Sequence, residues 1–300
     1  MRHDLTSLEL FVAVAECGNL TRAAERQHLA VSAVSKRIGE LEALARTPLL
    51  VRQPRGVALT PAGQSLLHHA RQMLLLVRRM DEELGQYAGG MKGHIRLHAV
   101  ASALTQFLPE ELEAFLTRHP DVQVSLEERT GKAVARAVAD GSADLGIVAS
   151  AAAQAGLDTL PYRTDRLMLG VPRDHPLARR KAVRFADALA YPFVGPHAES
   201  SLSALMQQGA QACGRALQQR VQVSSFDAMC RLVETRLGIT LLPAGVLAPH
   251  VAAGRLQGVD LKEAWAERHM AIVVRDTQAL SHITRALIAH LQQAAGSSRG

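Results

Sequence analysis

The stretch between Thr60-Pro61 and Gly89-Gly90 constrains the fold more than any other part of this 300-residue chain. Thr60 supplies a helix N-cap, Pro61 the favoured first helical residue, and no further proline interrupts the segment. About 28 residues at ~1.5 Å each predict a helix of roughly 42 Å. Along it Leu66, Ala70, Met73, Val77, Met80 and Leu84 alternate by four and three, a heptad seam. A helix this long cannot hide such a stripe against the short module before it. A partner chain is the expected cover, so a homodimer is expected; packing against the chain's own C-terminal part is the alternative. The helix thus divides the chain into a head (1–60), a linker and dimerisation helix (61–90) and a C-terminal domain (91–300).

Within the head, Leu5, Leu8, Phe11, Val12 and Ala15 recur at helical spacing, and Gly18 stops that helix. Asn19 or Thr21 can cap a short second helix through Arg22-Ala23-Ala24-Glu25-Arg26, which the polar Gln27-His28 breaks. In a third helix Val34, Ile38, Leu41 and Ala45 form the buried face, while Ser32, Ser35, Lys36 and Arg37 stand outward near its start. Two short helices joined by a tight turn, the second opening with hydroxyl and basic side chains, are the parts of a helix-turn-helix (about 19–38). Its second helix presents N-terminal residues to base edges in the major groove. Leu49 to Arg52, a turn at Gln53-Pro54-Arg55-Gly56, and Val57 to Leu59 read as a two-stranded wing that would set Arg52 and Arg55 beside phosphates or the minor groove.

Charge agrees with this reading. The whole chain is +6, a weak signal for an anionic partner. Residues 20–60, however, hold seven Lys and Arg against three acids, and so carry +4 of that surplus. A local basic patch is the footprint of duplex binding, although from charge alone a solvated basic face is the better reading. Aromatics amount to 3% of the chain, which argues against stacking on single-stranded nucleic acid.

The ordered set Thr21-Arg22-Ala23-Ala24-Glu25, Ser32-Ala33-Val34-Ser35-Lys36-Arg37-Ile38, Leu41-Glu42, Leu49-Leu50-Val51-Arg52 and Leu59-Thr60-Pro61-Ala62-Gly63 resembles the DNA-binding domain of LysR-type transcriptional regulators. The resemblance runs in order over residues 5–90, and its layout extends through the rest of the chain. Three positions depart from the family pattern: Ala30 where Ser or Thr is usual, Leu50 for Phe, and Ala45 near an expected Gly. With Ala30 unable to cap, Ser32 is the expected capping hydroxyl. The DNA contacts expected are Thr21, Arg22, Ser32, Ala33, Ser35, Lys36 and Arg37, with Arg52 and Arg55 on the wing. The resemblance further implies dimers that pair into tetramers, double-stranded promoter DNA as partner, and control by a small-molecule effector. RNA polymerase is a candidate further partner.

In the C-terminal domain, strands and helices alternate: Ile95 to Ala99, a helix through Leu108 to Leu116, Val122 to Val124, Val134 to Ala139 and Asp144 to Val148. A second set follows, with strands at 167–171, 193–194, 221–223 and 239–242 and helices near 202–217 and 226–237. Met270 to Val274 and a helix over 280–291 close the chain. Such alternation implies a parallel sheet with helices on both faces. Two α/β lobes result, about 91–163 with 268–300 and about 164–267, which resemble the same family's effector domain, itself similar to periplasmic solute-binding proteins. Ligands in such sheets sit at strand carboxyl ends beside helix N-termini. Ser102, Thr105, Thr130, Ala149, Ser150, Ser200, Ser201, Ser225 and Phe226 are therefore the expected effector contacts, suited to a small carboxylate or other anion. For any one hydroxyl among them, plain N-capping is the commoner role. The sequence places no basic residue in this cleft, and Glu199 would oppose an anion if turned inward.

Other classes of function find little support. Thirteen His carry no HExxH and no paired Cys-x-x-Cys, His68-His69 face different ways, and His94 with His98 offer two ligands at most, so no metal site is expected. There is no GxSxG elbow, Walker loop or GxGxxG, and no catalytic residues or cofactor are expected. A solute-binding protein would account for 91–300 but predicts a secretion signal, whereas Met1 to Leu10 carries Asp4 and Glu9 without an apolar core. Apolar runs such as Met73 to Val77 are far short of a membrane span. Three Cys, an odd number, suggest a reducing compartment; the expected location is cytoplasmic, at the nucleoid through DNA. Some members of the family sense oxidants through a cysteine pair, but Cys213 and Cys230 lie on expected helices and read as buried structural thiols.

Overall fold

The computed structural model describes residues 4–54, 56–87, 93–149 and 156–297. Two compact units result, one built on Met1–Gly90 and one on Met91–Ala139 with Ala143–Gly300.

The first unit opens with α1 (Leu5–Cys17), whose N-cap Asp4 accepts from Ser7 N and whose C-terminal Gly18 adopts φ +60°. Then come α2 (Leu20–Arg26) and α3 (Val31–Ala45), the strands β1 (Leu50–Gln53) and β2 (Gly56–Leu59), and the long α4 (Pro61–Tyr87). Asn19 caps α2 by accepting from the N–H groups of Thr21 and Arg22. Phe11, Val14, Ala23, Ala24, Val34, Ile38 and Leu41 form the core under the two-helix motif. The two alanines permit close approach of α2, and the turn that follows is completed by His28 in the left-handed region at φ +53°. Thr60 Oγ1 accepts from Gly63 N at 2.9 Å and so starts α4 as its sequence suggests.

The expected cap at Ser32 is not formed. Ala30 occupies the N-cap position in extended geometry with no side-chain hydrogen bond, and Ser32 lies inside the first turn of α3. At the other end Arg46 closes α3 in the left-handed region (φ +53°).

The second unit has two lobes around distinct apolar cores. The first gathers Ile95, Leu97, Phe115, Leu145, Ile147 and Leu287; the second gathers Leu169, Phe185, Phe193, Met206, Met229 and Leu241. In chain order the elements are β3 (Gly93–Ala99), α5 (Ala101–Gln106), α6 (Leu108–Arg118), β4 (Val122–Glu128), α7 (Gly131–Ala139), β5 (Leu145–Ala149) and β6 (Asp158–Pro172). They continue with β7 (Ala182–Val183), α8 (Phe185–Ala188), β8 (Phe193–Gly195), α9 (Ser201–Ala212), β9 (Gln219–Gln222) and α10 (Phe226–Glu234). Last come β10 (Thr240–Pro243), α11 (Ala244–Ala252), β11 (Leu256–Leu261), β12 (Glu267–Val274) and α12 (His282–Ser297).

The expected all-parallel sheet is instead mixed. β3 pairs in parallel with β4 and β5, but β12 runs antiparallel to both β5 and β6, and β10 and β11 run antiparallel to β6. The strand anticipated at 167–171 is the end of a 15-residue strand, β6, that crosses from one lobe to the other. Its first half, with Pro161, Arg163 and Asp165, lacks a continuous apolar run because it forms the crossing and faces polar partners. The antiparallel return, β12, carries a register shift between His269 and Ala271. α5, α11 and β11 were not apparent in the periodicity, being short elements packed against larger neighbours.

Candidate nucleic-acid interface and ligand cleft

The outward start of α3 presents Ser32, Ser35 and Lys36 to solvent, with Ala33 and Arg37 half-buried; Thr21 and Arg22 are exposed on α2. Lys36 is 79% exposed, its nearest acid being Glu40 at 4.0 Å, so its ammonium is free to meet a phosphate. Arg37 is less free: its Nη1 donates to Ser7 Oγ at 3.2 Å and reaches Asp4 Oδ1 at 3.4 Å. Hydrogen bonds from Ser7, then the nearby Arg37 charge, hold the Asp4 carboxyl below its usual value. Arg52 is exposed on β1; Arg55 lies outside the described residues.

The wing is held by contacts that sequence reasoning missed. Glu42, read as a charge and as part of a motif but given no role, accepts from the N–H groups of Leu49 (2.8 Å) and Leu50 (3.1 Å) and anchors β1 to α3. Val57 N donates to Gly18 O at 2.8 Å. Gly56 lies so close that a Cβ there would meet Gly18 O at 2.1 Å, so only glycine lets the wing dock on the end of α1. Leu29 and Val31, flanking the start of α3, are exposed despite being apolar.

The expected seam on α4 is divided. Leu66 packs into the first unit's own core and Ala70 is fully buried, so neither is available to a partner. Beyond them Met73, Met80 and Leu84 are 45% to 60% exposed, Val77 is half-buried, and Leu76, which the heptad pattern omitted, is 66% exposed. The unpartnered stripe is therefore Met73, Leu76, Met80 and Leu84 on one helix face.

In the second unit a cavity of about 460 Å³ opens between the lobes. Ser102 and Thr130 line it from the first lobe, and Ser200, Ser201 and Phe226 from the second. Ser200 also caps α9 by accepting from Ser203 N at 3.0 Å. Thr105 does not line this cavity: its hydroxyl donates back to Ala101 O at 2.8 Å within α5. Ser225 is an N-cap of α10, accepting from Ala228 N. Ala149 lines an adjoining cavity of about 970 Å³ that shares Glu199, Ser200, Ser201 and Arg268 with the first, and Ser150 lies outside the described residues.

The expectation that no basic residue reaches the cleft is overturned: Arg129 and Arg268 both line it. Arg129 is engaged by Glu127 (2.6 and 3.0 Å). Arg268 sits opposite Asp165 across the β12–β6 pair, its Nε donating to Oδ1 at 2.8 Å and its Nη2 to Oδ2. Gln106 Nε2 donates to the same carboxylate at 3.1 Å. Both partners are largely buried, at 9% and 2% side-chain exposure. Register between strands 103 residues apart creates this pair, and nothing local announces it. Glu199 also lines the cavity.

Among the described residues no three His, Cys, Asp or Glu side chains gather as a metal site, and no helix is long and apolar enough to cross a membrane. The thiols differ from expectation: Cys230 is buried, but Cys213 is exposed and Cys17 half-buried. Burial, then the charges of Asp227 and Glu234, push the Cys230 thiol up to about 12. At pH 8, iodoacetamide should alkylate Cys213 first and leave Cys230 unmodified until the chain is unfolded; intact-mass analysis reads the order, and early labelling of Cys230 would contradict this packing.

A winged helix-turn-helix whose second helix exposes a basic start, joined in one chain to a two-lobed domain with an interlobe cavity, defines a DNA-binding regulator with a ligand domain. Residues 5–64 match the bacterial regulatory helix-turn-helix protein, lysR family, and residues 88–296 the LysR substrate binding domain. The chain belongs to the LysR family and is a LysR-type transcriptional regulator with a substrate-binding effector domain. Similar proteins include the Hca operon transcriptional activator HcaR of Escherichia coli K12 (30% identity, 91% of this chain and 95% of that one). The regulator CbbR of Rhodospirillum rubrum is 28% identical over 98% of this chain and 97% of its own. In fold, a full-length OxyR variant from Pseudomonas aeruginosa (TM-score 0.77, 21% identity, 98% and 95% coverage) is similar. So is full-length CbnR complexed with its target DNA (TM-score 0.67, 23% identity, 98% and 100% coverage).

Proposed function

We propose that the head (1–60) sets the start of α3 into the major groove of promoter DNA. Ser32, Ala33 and Ser35 lie toward base edges, with Thr21, Arg22, Lys36, Arg52 and Arg55 toward phosphates; Arg37 contributes after yielding its contacts to Asp4 and Ser7. Exposed Leu29 and Val31 suit apolar contact with sugars or thymine methyl groups. The helix 61–90 joins two copies through Met73, Leu76, Met80 and Leu84, and dimers pair into tetramers. Domain 91–300 takes a small carboxylate or other anion between lobes 91–163 with 268–300 and 164–267, and RNA polymerase is a further partner. The role is regulatory, without catalysis, in the cytoplasm at the nucleoid. Ligand shifts the assembly by its differential affinity for two arrangements of the DNA-binding heads.

The observation that carries this reading is the free, outward Lys36 beside exposed Ser32 and Ser35 at the start of a capless helix. The test is a mobility shift with DNA from upstream of the gene at two salt concentrations. Lys36→Ala should weaken all sequences alike and reduce the slope of log K against log salt by about 0.9, the value for one lost phosphate contact. Binding no tighter than to random DNA would sink the proposal.

A further inference from the structure

The second lobe holds a further cavity, about 270 Å³, that shares no residue with either interlobe cavity. It lies at the opposite strand ends. Tyr191-Pro192 leads into β8 and Gly238-Ile239 into β10, whereas the interlobe cleft is lined by Pro196 and His197, past the carboxyl end of β8. Gly238 lets these two segments meet: a Cβ there would lie 2.4 Å from Pro192 O, the carbonyl that accepts from Ile239 N at 2.9 Å. Pro172, Pro176 and Pro192 line the cavity with Ile239, and their ring C–H groups suit the negative face of an aromatic ring. His175 and Tyr191 complete it and meet edge-on, 4.4 Å between centroids. His175 Nδ1 accepts from Leu177 N at 3.2 Å, which puts the ring proton on Nε2. Burial holds this imidazole below its usual pKa and so keeps it neutral near pH 7. Neither His175 Nε2 nor the Tyr191 hydroxyl has a hydrogen-bond partner among the described residues.

A strained residue also lines it. After α10 the chain makes a Schellman turn, in which Arg236 N donates to Val233 O and Leu237 N to Leu232 O. Arg236 takes the left-handed position of that turn, at φ +63°, where glycine is the favoured residue. Its guanidinium reaches Asp174, just past β6, with Nη2 at 2.7 Å and Nε at 3.1 Å from Oδ2. The two side chains are 72% and 62% exposed, and an ion pair in that setting adds little stability. Stability therefore does not account for an arginine held in this conformation, whereas a role at the cavity does. Arg236 Nη1 has no hydrogen-bond partner among the described residues, and Asp174 Oδ1 is held only at 3.4 Å. The paired charges cancel, so an uncharged ligand is the complementary one. Donors at His175 Nε2, Tyr191 Oη and Arg236 Nη1, with an acceptor at Asp174 Oδ1, match a carboxamide, which both accepts and donates. The volume is below the roughly 300 Å³ at which drug-sized sites begin, which limits the ligand to about one ring.

We propose that this cavity of the second lobe is a binding site for a single-ring aromatic carboxamide, its ring against the three prolines and its amide on His175, Tyr191 and Arg236. It is separate from the effector site proposed above and does not depend on it. The full-length protein is titrated against 4-fluorobenzamide, with binding read from the fluorine resonance of the probe. Expected is saturable broadening, with 4-fluorotoluene, which lacks the amide, binding at least about tenfold more weakly. Arg236→Gly is the decisive variant. It places the favoured residue in the left-handed turn, so its thermal midpoint should equal or exceed that of the wild type while its Kd for the probe rises at least about fivefold. His175→Phe/Tyr191→Phe, which keeps both rings and removes two donors, should raise Kd at least about tenfold, and Ser102→Ala should leave it unchanged. Broadening that never saturates, or a Kd unaltered in Arg236→Gly, overturns the proposal. So does a lowered thermal midpoint in Arg236→Gly, which would make the arginine a structural clamp. Loss of binding in Ser102→Ala also overturns it, and would place the probe in the interlobe cleft.

Discussion

Asp165→Asn is expected to destabilise the second unit by about 3–5 kcal/mol, the cost of stranding a buried charge by removing its partner. Arg268 cannot escape to solvent: its side chain is only 9% exposed, and its strand, β12, is paired on both sides. Asparagine keeps the volume and one acceptor, so the loss reads charge rather than a cavity. Urea unfolding of the full-length protein supplies the measurement. Arg268→Met in the Asp165→Asn background should recover part of the loss, because no unpaired ion then remains buried. If the double variant is as unstable as the sum of the singles, the two side chains are not coupled as the geometry requires. The consequence reaches beyond stability. Asp165 joins β6 to β12 at the lobe crossing and holds Gln106 of α5, whose first turn carries the cavity residue Ser102. The same carboxylate therefore links the strands between lobes to the wall of the proposed effector site.

The other large effect concerns assembly. Leu76→Lys with Met80→Lys should convert a dimer to monomers, measured by light scattering coupled to size exclusion. Affinity for DNA carrying two half-sites should fall at least about 100-fold, because the second head loses its effective concentration once the first has bound. Leu66→Ala would act differently. That residue belongs to the head's own core, so its truncation should lower the stability of the head rather than release a partner. A Leu76→Lys/Met80→Lys variant that remains dimeric would remove α4 as the interface.

Much of the head was legible because its signals are local. Gly18 at a left-handed helix end, Asn19 capping α2, Thr60 capping α4, and apolar residues at helical spacing each act within a few residues. The departure at Ala30 shows the limit of such reasoning: Ser32 has the right chemistry to cap, but α3 begins one residue before it, at Val31. In the heptad, periodicity picked out an apolar stripe on α4 but could not tell where along it the chain's own core ends. Leu66 and Met73 look alike in sequence, and only packing makes one internal and the other exposed.

By itself, then, the sequence determined most elements of the head, the two-helix motif with its basic outward face, and the family to which the chain belongs. Short-range caps, periodicity and ordered motifs suffice for these. Tertiary structure alone decided which hydroxyls line the cavity and which merely cap helices or bond within them, as Ser102 and Thr105 illustrate three residues apart. It also decided that the cleft holds arginines, that Glu42 carries the wing, and that the sheet is mixed. The physical reason is that these features depend on strand register and on contacts between distant segments. Asp165 and Arg268 meet only because β6 and β12 run antiparallel in one particular register.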